Sequence, residues 1–188
     1  NIPIAHISGG ETTVGAFDEA IRHSISKMSY WHFVATDEYR KRVVQLGENP
    51  DRVFNVGGIT VDIIKKTKLR TKKDLEKKLG LKFGDKNLLI TFHSSSLDYL
   101  SSNDHIKIIL EVLSELSDIY FIFTLSNADP NGRMINKMIK NFVNENTNCS
   151  TYFTSMGSLN YLSAMQFVDG VLGNSSSGLT EAPTFKIG

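Results

Sequence analysis

The chain has 188 residues, of which 40% are hydrophobic and 22% are charged, and its formal net charge is +1. This composition is ordinary for a globular protein, and the balanced charge argues against a nucleic-acid partner and against an acidic disordered tail. No apolar run approaches the roughly 20 residues of a transmembrane helix, we expect no secretory leader, and the single Cys149 cannot form an internal disulfide, so we predict a cytoplasmic protein without a membrane partner.

Strands and helices are predicted to alternate through the first third of the chain. Apolar residues spaced by three and four, such as Ile21, Ile25 and Met28, predict a helix with one apolar face. The predicted elements are a buried strand at 1–6, that helix at 17–29, a strand at 30–36, a helix at 37–46 that ends before Gly47, and a strand at 53–56. This order is typical of a parallel sheet with helical crossovers.

The composition changes to lysine, threonine and acidic residues at 63–84. Acidic residues interleave with the lysines, so a solvated helix face explains the stretch better than a phosphate-binding track, and we place a domain boundary here. Beyond it the rhythm restarts, with predicted strands at 87–92, 119–124, 150–153 and 167–173 and predicted helices at 104–116, 132–143 and 159–165. The predicted fold class is therefore α/β. Because strand patterns stand at both ends, we interpret the sequence as an internal fragment of a larger fold.

The loop GNSSSG at 173–178 follows a predicted buried strand and precedes a predicted helix through Leu179 and Glu181. Glycines let a ligand approach the backbone, and Ser175 and Ser176 add hydroxyl donors at a helix N-terminus, a combination that suits a diphosphate. Glu181, one helical turn further on, is placed to accept hydrogen bonds from ribose hydroxyls. An ordinary serine-capped helix start explains the loop equally well by itself.

Other polar residues also follow predicted strands, where ligands bind in open α/β sheets. His93, after the strand at 87–92, can donate a hydrogen bond to a phosphate or leaving-group oxygen, although a structural histidine would give the same pattern. Asn127 and Asp129 follow the strand at 119–124, where turn chemistry is a sufficient explanation.

A dense titratable group follows the first predicted strand. It contains His6, Glu11, the adjacent Asp18 and Glu19, and Arg22. Such crowding shifts carboxylate pKa values toward acid–base work, while complementing the helix dipole could equally account for paired acids at a helix start. The sequence has no paired cysteines and no two-histidine helix motif, so we predict neither a metal nor a cofactor.

At these places the sequence resembles the UDP-N-acetylglucosamine 2-epimerases, and more closely their hydrolysing branch, which feeds sialic and legionaminic acid synthesis. The matching segments are HISGGE at 6–11, FDEAIRH at 17–23, FVAT at 33–36, RVFNVG at 52–57, His93, Asn127 with Asp129, and GNSSSGLTE at 173–181. The non-hydrolysing branch typically has HVEAG in place of HISGG and a basic stretch at His93. Ser8 stands where several relatives carry a glutamate, and Glu11 either replaces that acid or is structural.

The resemblance implies two Rossmann-like domains that face a cleft, the glycosyltransferase-B arrangement. Residues 1–66 would be the C-terminal part of the first domain, 67–84 a connector, and 85–188 most of the second, UDP-binding domain. It also implies a reaction in which UDP leaves C1 as the C2 proton is removed. Water then adds to the resulting 2-acetamidoglycal and releases a free sugar with inverted C2, of the N-acetylmannosamine type.

The resemblance also implies roles for individual residues. Those expected to be catalytic are Asp18, Glu19, Glu11 and His93. Those expected to bind the UDP-sugar are His6 and Arg22 near the acids, Asn127 and the backbone at Met156 near the nucleotide, Ser175 and Ser176 at the diphosphate together with His93, and Glu181 at the ribose. We further expect a homo-oligomer, either a dimer or a tetramer.

Several alternatives remain open at this point. The substrate could be UDP-N,N'-diacetylbacillosamine, which differs at C4 and C6 of the sugar. The same architecture would serve a non-hydrolysing epimerase or a glycosyltransferase, and a noncatalytic sensor would bind a nucleotide sugar without turnover. We expect the intact protein to be active and this segment alone to be inactive.

Overall fold

The computed structural model describes residues 2–13, 18–94, 102–126 and 132–188, apart from the side chains of Ser102 and Asn103. The chain forms two compact units, Asn1–Ile63 and Ile64–Gly188. The first contains a three-stranded sheet and the second a four-stranded sheet, and every strand pair in both sheets is parallel. The predicted α/β class is confirmed.

The first unit is a short parallel sheet with strand order β1-β2-β3. Its elements are β1 (Ala5–Ile7), α1 (Asp18–Met28), β2 (Trp31–Val34), α2 (Asp37–Gln45), a 3₁₀ turn (Pro50–Arg52), β3 (Val53–Asn55) and the first part of α3 (Ile59–Lys66). The core on one face consists of Val34, Val43 and Val53. His6 and His32 are partners in the register of β1 and β2, so they share one face of the sheet.

The first unit packs differently from the pattern that its sequence predicts. Among the described residues of the predicted first strand only His6 is buried, and Ile21 and Met28 on the predicted apolar face of α1 are 50% and 65% exposed. Helix α1 packs instead through Ser26, whose hydroxyl lies 3.0 Å from His6 Nδ1. A small hydroxyl lets the helix lie close to a polar strand residue, which a bulky apolar side chain would prevent.

The opposite face of this sheet is uncovered within the described part of the first unit. Ile7, Trp31 and Phe54 on that face are 52%, 39% and 43% exposed. The rings of Phe33 and Phe54 stack on neighbouring strands, with centroids 5.5 Å apart. Parallel sheets are normally covered on both faces, whereas this one is covered on a single face among the residues that the structure describes.

The second unit has a sheet with strand order β6-β5-β4-β7. Its elements are α4 (Lys72–Leu79), β4 (Asn87–Thr91), α5 (Ser102–Ser114), β5 (Tyr120–Thr124), α6 (Gly132–Glu145), β6 (Ser150–Phe153), α7 (Ser158–Ala164), β7 (Gly170–Gly173), α8 (Ser177–Thr180) and α9 (Ala182–Phe185). Ile90 and Phe123 pack into a cluster with α5 and α6, while Leu89 and Ile122 pack into a second cluster with α4 and α7. The sheet is therefore buried on both faces, as its strand sequences require.

The polar stretch at 63–84 contains the end of α3 and the whole of α4, and it packs on the rest of the second unit. Leu75 of α4 is fully buried in the second unit's core. Between α3 and α4, the Arg70 amide donates to the Ser163 hydroxyl at 3.0 Å and its Nε donates to Asn160 Oδ1 at 2.9 Å. Gln166 Nε2 donates to the Arg70 carbonyl at 3.2 Å.

The predicted helix through Leu179 and Glu181 is broken into α8 and α9. Pro183 has no N–H to donate back along the chain, so a continuous helix would lack one of its hydrogen bonds there. The last predicted strand also begins later than expected, at Gly170. Within the ranges that the structure describes, none of the helices combines the length and the apolar character needed to span a membrane.

Candidate functional site

Polar residues of the second unit meet at the carboxyl end of its sheet. They surround a cavity of about 270 Å³ that lies beyond the ends of β4, β5 and β6, and its lining includes Thr91, His93, Thr124, Ser155, Met156 and Tyr161. The Thr91 and Thr124 hydroxyls, at the last positions of adjacent strands, are hydrogen-bonded at 2.6 Å. Ligands of open α/β sheets bind in this position.

The serine-rich loop is fastened to one side of this cavity by Asn174. Its side-chain oxygen accepts a hydrogen bond from the His93 amide, and its side-chain nitrogen donates to the His93 carbonyl, both at 2.8 Å. This reciprocal pair fixes the backbone of His93, which lines the cavity, and its ring Nδ1 lies 3.5 Å from the hydroxyl of buried Ser126.

Gly173 makes this arrangement possible. A Cβ atom at this position would lie 1.8 Å from the Thr91 carbonyl oxygen, and the residue has a φ of 145°. Both observations require glycine, because any side chain would separate β7 from β4 at the point where the loop begins.

The loop is fastened a second time at Ser177, whose hydroxyl accepts a hydrogen bond from the Tyr161 hydroxyl at 2.9 Å. Ser175 and Ser176 lie between the two attachment points at Asn174 and Ser177. The predicted free N–H groups of a helix start are largely absent, because the amides of Ser177, Gly178 and Leu179 already donate within residues 175–179. The loop therefore offers serine hydroxyls more than helix amides.

Of the other residues predicted to bind the nucleotide, one lines the cavity, one does not, and one lies outside the described residues. Met156 lines the cavity, and its carbonyl accepts a hydrogen bond from Asn160 Nδ2 at 2.7 Å. Glu181 caps the end of α8 and accepts a hydrogen bond from the Thr180 hydroxyl, and it is not among the residues that line the cavity. Asn127, together with Asp129, lies outside the described residues.

In the first unit, hydrogen bonds tie the segment that contains Glu11 to helix α1. Arg22 donates to the Glu11 carbonyl at 3.2 Å and to the Thr13 hydroxyl at 3.4 Å. Glu19 accepts from the Thr13 amide at 3.1 Å and lies 3.4 Å from His23 Nε2. Asp18 is exposed at the first position of α1. The structure therefore brings Arg22, Glu19 and the Glu11 backbone together, and Asp18 begins the same helix.

His6 is buried beside this group. Its pKa is lowered, first by burial and then by the nearby His32 and Arg22. The Gly9 backbone packs against its ring, where a Cβ atom would lie 2.9 Å from Nδ1. A neutral imidazole bonded to Ser26 is the result.

A charged network near His6 had no signal in the sequence. Fully buried His32 lies 3.2 Å from one Glu48 carboxylate oxygen, and Lys27 lies 2.6 Å from the other. Burial alone would raise the pKa of the Glu48 carboxyl, but hydrogen bonds and charges from Lys27 and His32 outweigh it and lower the pKa. The network joins α1, β2 and the segment after α2.

Comparison with known proteins places this geometry in context. The whole chain, residues 1–188, matches the sequence model of the family described as UDP-N-acetylglucosamine 2-epimerase. It is 45% identical over 186 residues to the GDP/UDP-N,N'-diacetylbacillosamine 2-epimerase (hydrolyzing) of Campylobacter jejuni, covering 99% of the chain and 48% of that protein. It is 41% identical over 188 residues to the polysialic acid biosynthesis protein P7 of Escherichia coli, covering 100% of the chain and 47% of that protein. The chain thus spans about half the length of the curated relatives it matches.

Solved structures show the same fold. The UDP-GlcNAc 2-epimerase of Neisseria meningitidis bound to UDP-GlcNAc matches with a TM-score of 0.77 at 19% identity, covering 99% of this chain and 52% of that one. The structure of S. aureus MnaA with UDP matches with a TM-score of 0.76 at 16% identity, covering 99% and 50%.

We predict that Gly173→Ala strongly destabilises the second unit, whereas Gly178→Ala does not. The first substitution places a methyl group against the Thr91 carbonyl, while a Cβ atom at Gly178 meets nothing within 4 Å. Thermal unfolding of the two variants measures the difference. Equal melting temperatures for both would contradict the close contact between β4 and β7.

We also predict that His6 titrates below the ordinary histidine pKa of about 6.5. Because the folded-state pKa is lowered, the unfolded chain binds a proton more readily as the pH falls below about 6.5. The free energy of unfolding should therefore be highest above this pH and fall between it and the lowered pKa. NMR titration of the His6 ring measures its pKa, and a midpoint above about 6.5 would contradict this prediction. Urea unfolding at several pH values measures the stability, and the His6→Gln variant should show a weaker dependence of the free energy of unfolding on pH.

Proposed function

Since the chain belongs to the UDP-N-acetylglucosamine 2-epimerase family, we propose that the protein containing it is a hydrolysing 2-epimerase of a UDP-linked 2-acetamido sugar. The observation that carries the proposal is the attachment of the serine-rich loop, through Asn174 and Ser177, to His93 and Tyr161, two residues that line one cavity. The 45% identity to a relative named as a hydrolysing 2-epimerase supports the hydrolytic branch.

The proposed reaction has two steps. In the first, a base removes the C2 proton, the C1–oxygen bond to UDP breaks, and a C1–C2 double bond forms in a 2-acetamidoglycal. In the second, water adds its oxygen to C1 and a proton reaches C2 from the opposite face. The net change is hydrolysis of the C1–O bond with inversion at C2, so no oxidant or cofactor is consumed.

We assign the UDP part of the substrate to the cavity of the second unit. Ser175 and Ser176 can donate hydroxyl hydrogen bonds to the diphosphate, and His93 can donate to the oxygen that leaves C1. Ligand pockets usually measure roughly 300–1,000 Å³, so a cavity of about 270 Å³ would hold only part of a nucleotide sugar. The Met156 backbone at its wall is our candidate for the uracil contact, and Glu181 for the ribose.

Proton transfer is assigned to the acids of the first unit. Glu19 already accepts the Thr13 amide and lies beside His23, so its carboxylate serves to order the segment around Glu11. Exposed Asp18 is the better candidate for the base at C2. Arg22, which binds the Glu11 carbonyl, would keep positive charge near the acids, and neutral His6 would line the same group.

Two sugars are candidates for the substrate. The first is UDP-N-acetylglucosamine, the compound named in the description of the family. Relatives at 45% and 30% identity are named for N,N'-diacetylbacillosamine, whereas a relative at 27% is named UDP-N-acetylglucosamine 2-epimerase. Because two of these relatives are named for it, UDP-N,N'-diacetylbacillosamine is the second candidate substrate.

Incubation of the full-length protein with each donor in deuterated water tests the proposal. We expect UDP and a free C2-inverted sugar without any acceptor, with deuterium at C2 because the lost proton is replaced from solvent. Mass spectrometry and NMR identify the products. A UDP-linked product would indicate a non-hydrolysing epimerase, a need for an acceptor would indicate a glycosyltransferase, and binding without turnover would indicate a sensor; each result would overturn the proposal.

We predict that Asp18→Asn abolishes most turnover while UDP still binds. A positioned base typically contributes roughly 10²–10⁴ in rate, and the amide cannot accept the C2 proton. Asp62→Asn is the matched control, because Asp62 is an exposed acid in the first turn of α3 in the same unit. Steady-state rates and calorimetric UDP titration measure both effects. Near-normal turnover in Asp18→Asn would remove Asp18 from the mechanism.

A further inference from the structure

Tyr161 connects the wall of the cavity to the serine-rich loop. It lies on α7, lines the cavity, and donates its hydroxyl to Ser177 Oγ at 2.9 Å. We infer that Tyr161 is a positioning residue that holds the serine-rich loop in the conformation that receives the diphosphate. This inference rests on the proposed function and adds a residue to it.

The loop needs such an attachment because apolar burial does not hold it in place. Among residues 173–180 only Ser177 is buried, and Leu179 is 84% exposed. Helix α8 has four residues, too few for a stable helix by itself. The position of the loop therefore depends on its polar contacts.

The contacts form a continuous path from the cavity wall to the proposed diphosphate donors. Tyr161 donates to Ser177, and the Ser177 amide donates to Ser175 Oγ at 3.3 Å. At the other end Asn174 is bonded twice to His93. Loss of the Tyr161 hydroxyl would free the second end while the first stays attached.

Tyr161 can fix the loop because α7 is itself rigidly held. Leu162 and Ala164 are buried in the core of the second unit. Asn160, the preceding residue, accepts from Arg70 Nε at 2.9 Å and donates to the Met156 carbonyl at 2.7 Å. A hydroxyl on such a support has a defined position, which is what a preorganised binding site requires.

A double-mutant cycle in the full-length protein tests this role. The variants are Tyr161→Phe, Ser177→Ala and their combination, with Tyr152→Phe as the control, because Tyr152 is half-buried on β6 and lies beside Lys140 instead of lining the cavity. Calorimetry gives the Kd for UDP, and NMR titration gives the Kd for uridine, which has no diphosphate.

We expect Tyr161→Phe and Ser177→Ala each to weaken UDP binding by about 2- to 13-fold, the range that one neutral hydrogen bond supports. The double variant should bind UDP no more weakly than the weaker-binding single variant, since both remove the same contact. Uridine binding should change less than about twofold in every variant, and Tyr152→Phe should match the wild type for both ligands.

The outcomes separate this inference from the proposed function. A wild-type protein that does not bind UDP would overturn the proposed function. Wild-type binding of UDP with no loss in Tyr161→Phe, additive losses in the double variant, or equal losses for UDP and uridine would overturn the role of Tyr161. If Tyr161→Phe fails to fold, Ser177→Ala decides, because it keeps the tyrosine ring in place.

Discussion

Gly173 passes so close to the Thr91 carbonyl that no residue with a Cβ atom can occupy its place. This contact lets β7 remain paired with β4 to the last residue of the strand, and it determines where the following loop begins. From that point Asn174 reaches both backbone groups of His93, and Ser177 reaches Tyr161. The shape of the candidate nucleotide site thus depends on having glycine, which has no side chain, at the end of one strand.

The two units are stabilised by different means. The sheet of the second unit is enclosed by two apolar clusters, and the polar residues of its two central strands lie at the strand ends. In the first unit the apolar core is small, and polar contacts such as His6 with Ser26 and His32 with Glu48 connect the sheet to its helices. Protonation changes should therefore affect the first unit more than the second.

Local patterns predicted the fold well because each strand of the second unit carries its own apolar run between polar turns. The succession of strands and helices along the chain, the glycine at 173 and the histidine after β4 follow from neighbouring residues alone, whereas the order of the strands within each sheet does not. The pairing of His93 with Asn174 joins residues 81 positions apart, and the Tyr161 hydroxyl has no periodic signature. Apolar spacing predicted helix α1 but not the exposure of Ile21 and Met28, because periodicity identifies a face without revealing whether anything described in the chain covers it. The proton-transfer and substrate roles remain predictions.

The exposed sheet face of the first unit carries the one tryptophan of the sequence. Trp31 lies on β2 with 39% of its surface accessible, and its ring meets Tyr30 edge to face. The wavelength of its fluorescence maximum should consequently report the polarity of that face without any added label. A molecule that binds to this face would shift the fluorescence maximum of Trp31 to shorter wavelength and would protect the ring from a quencher in solution.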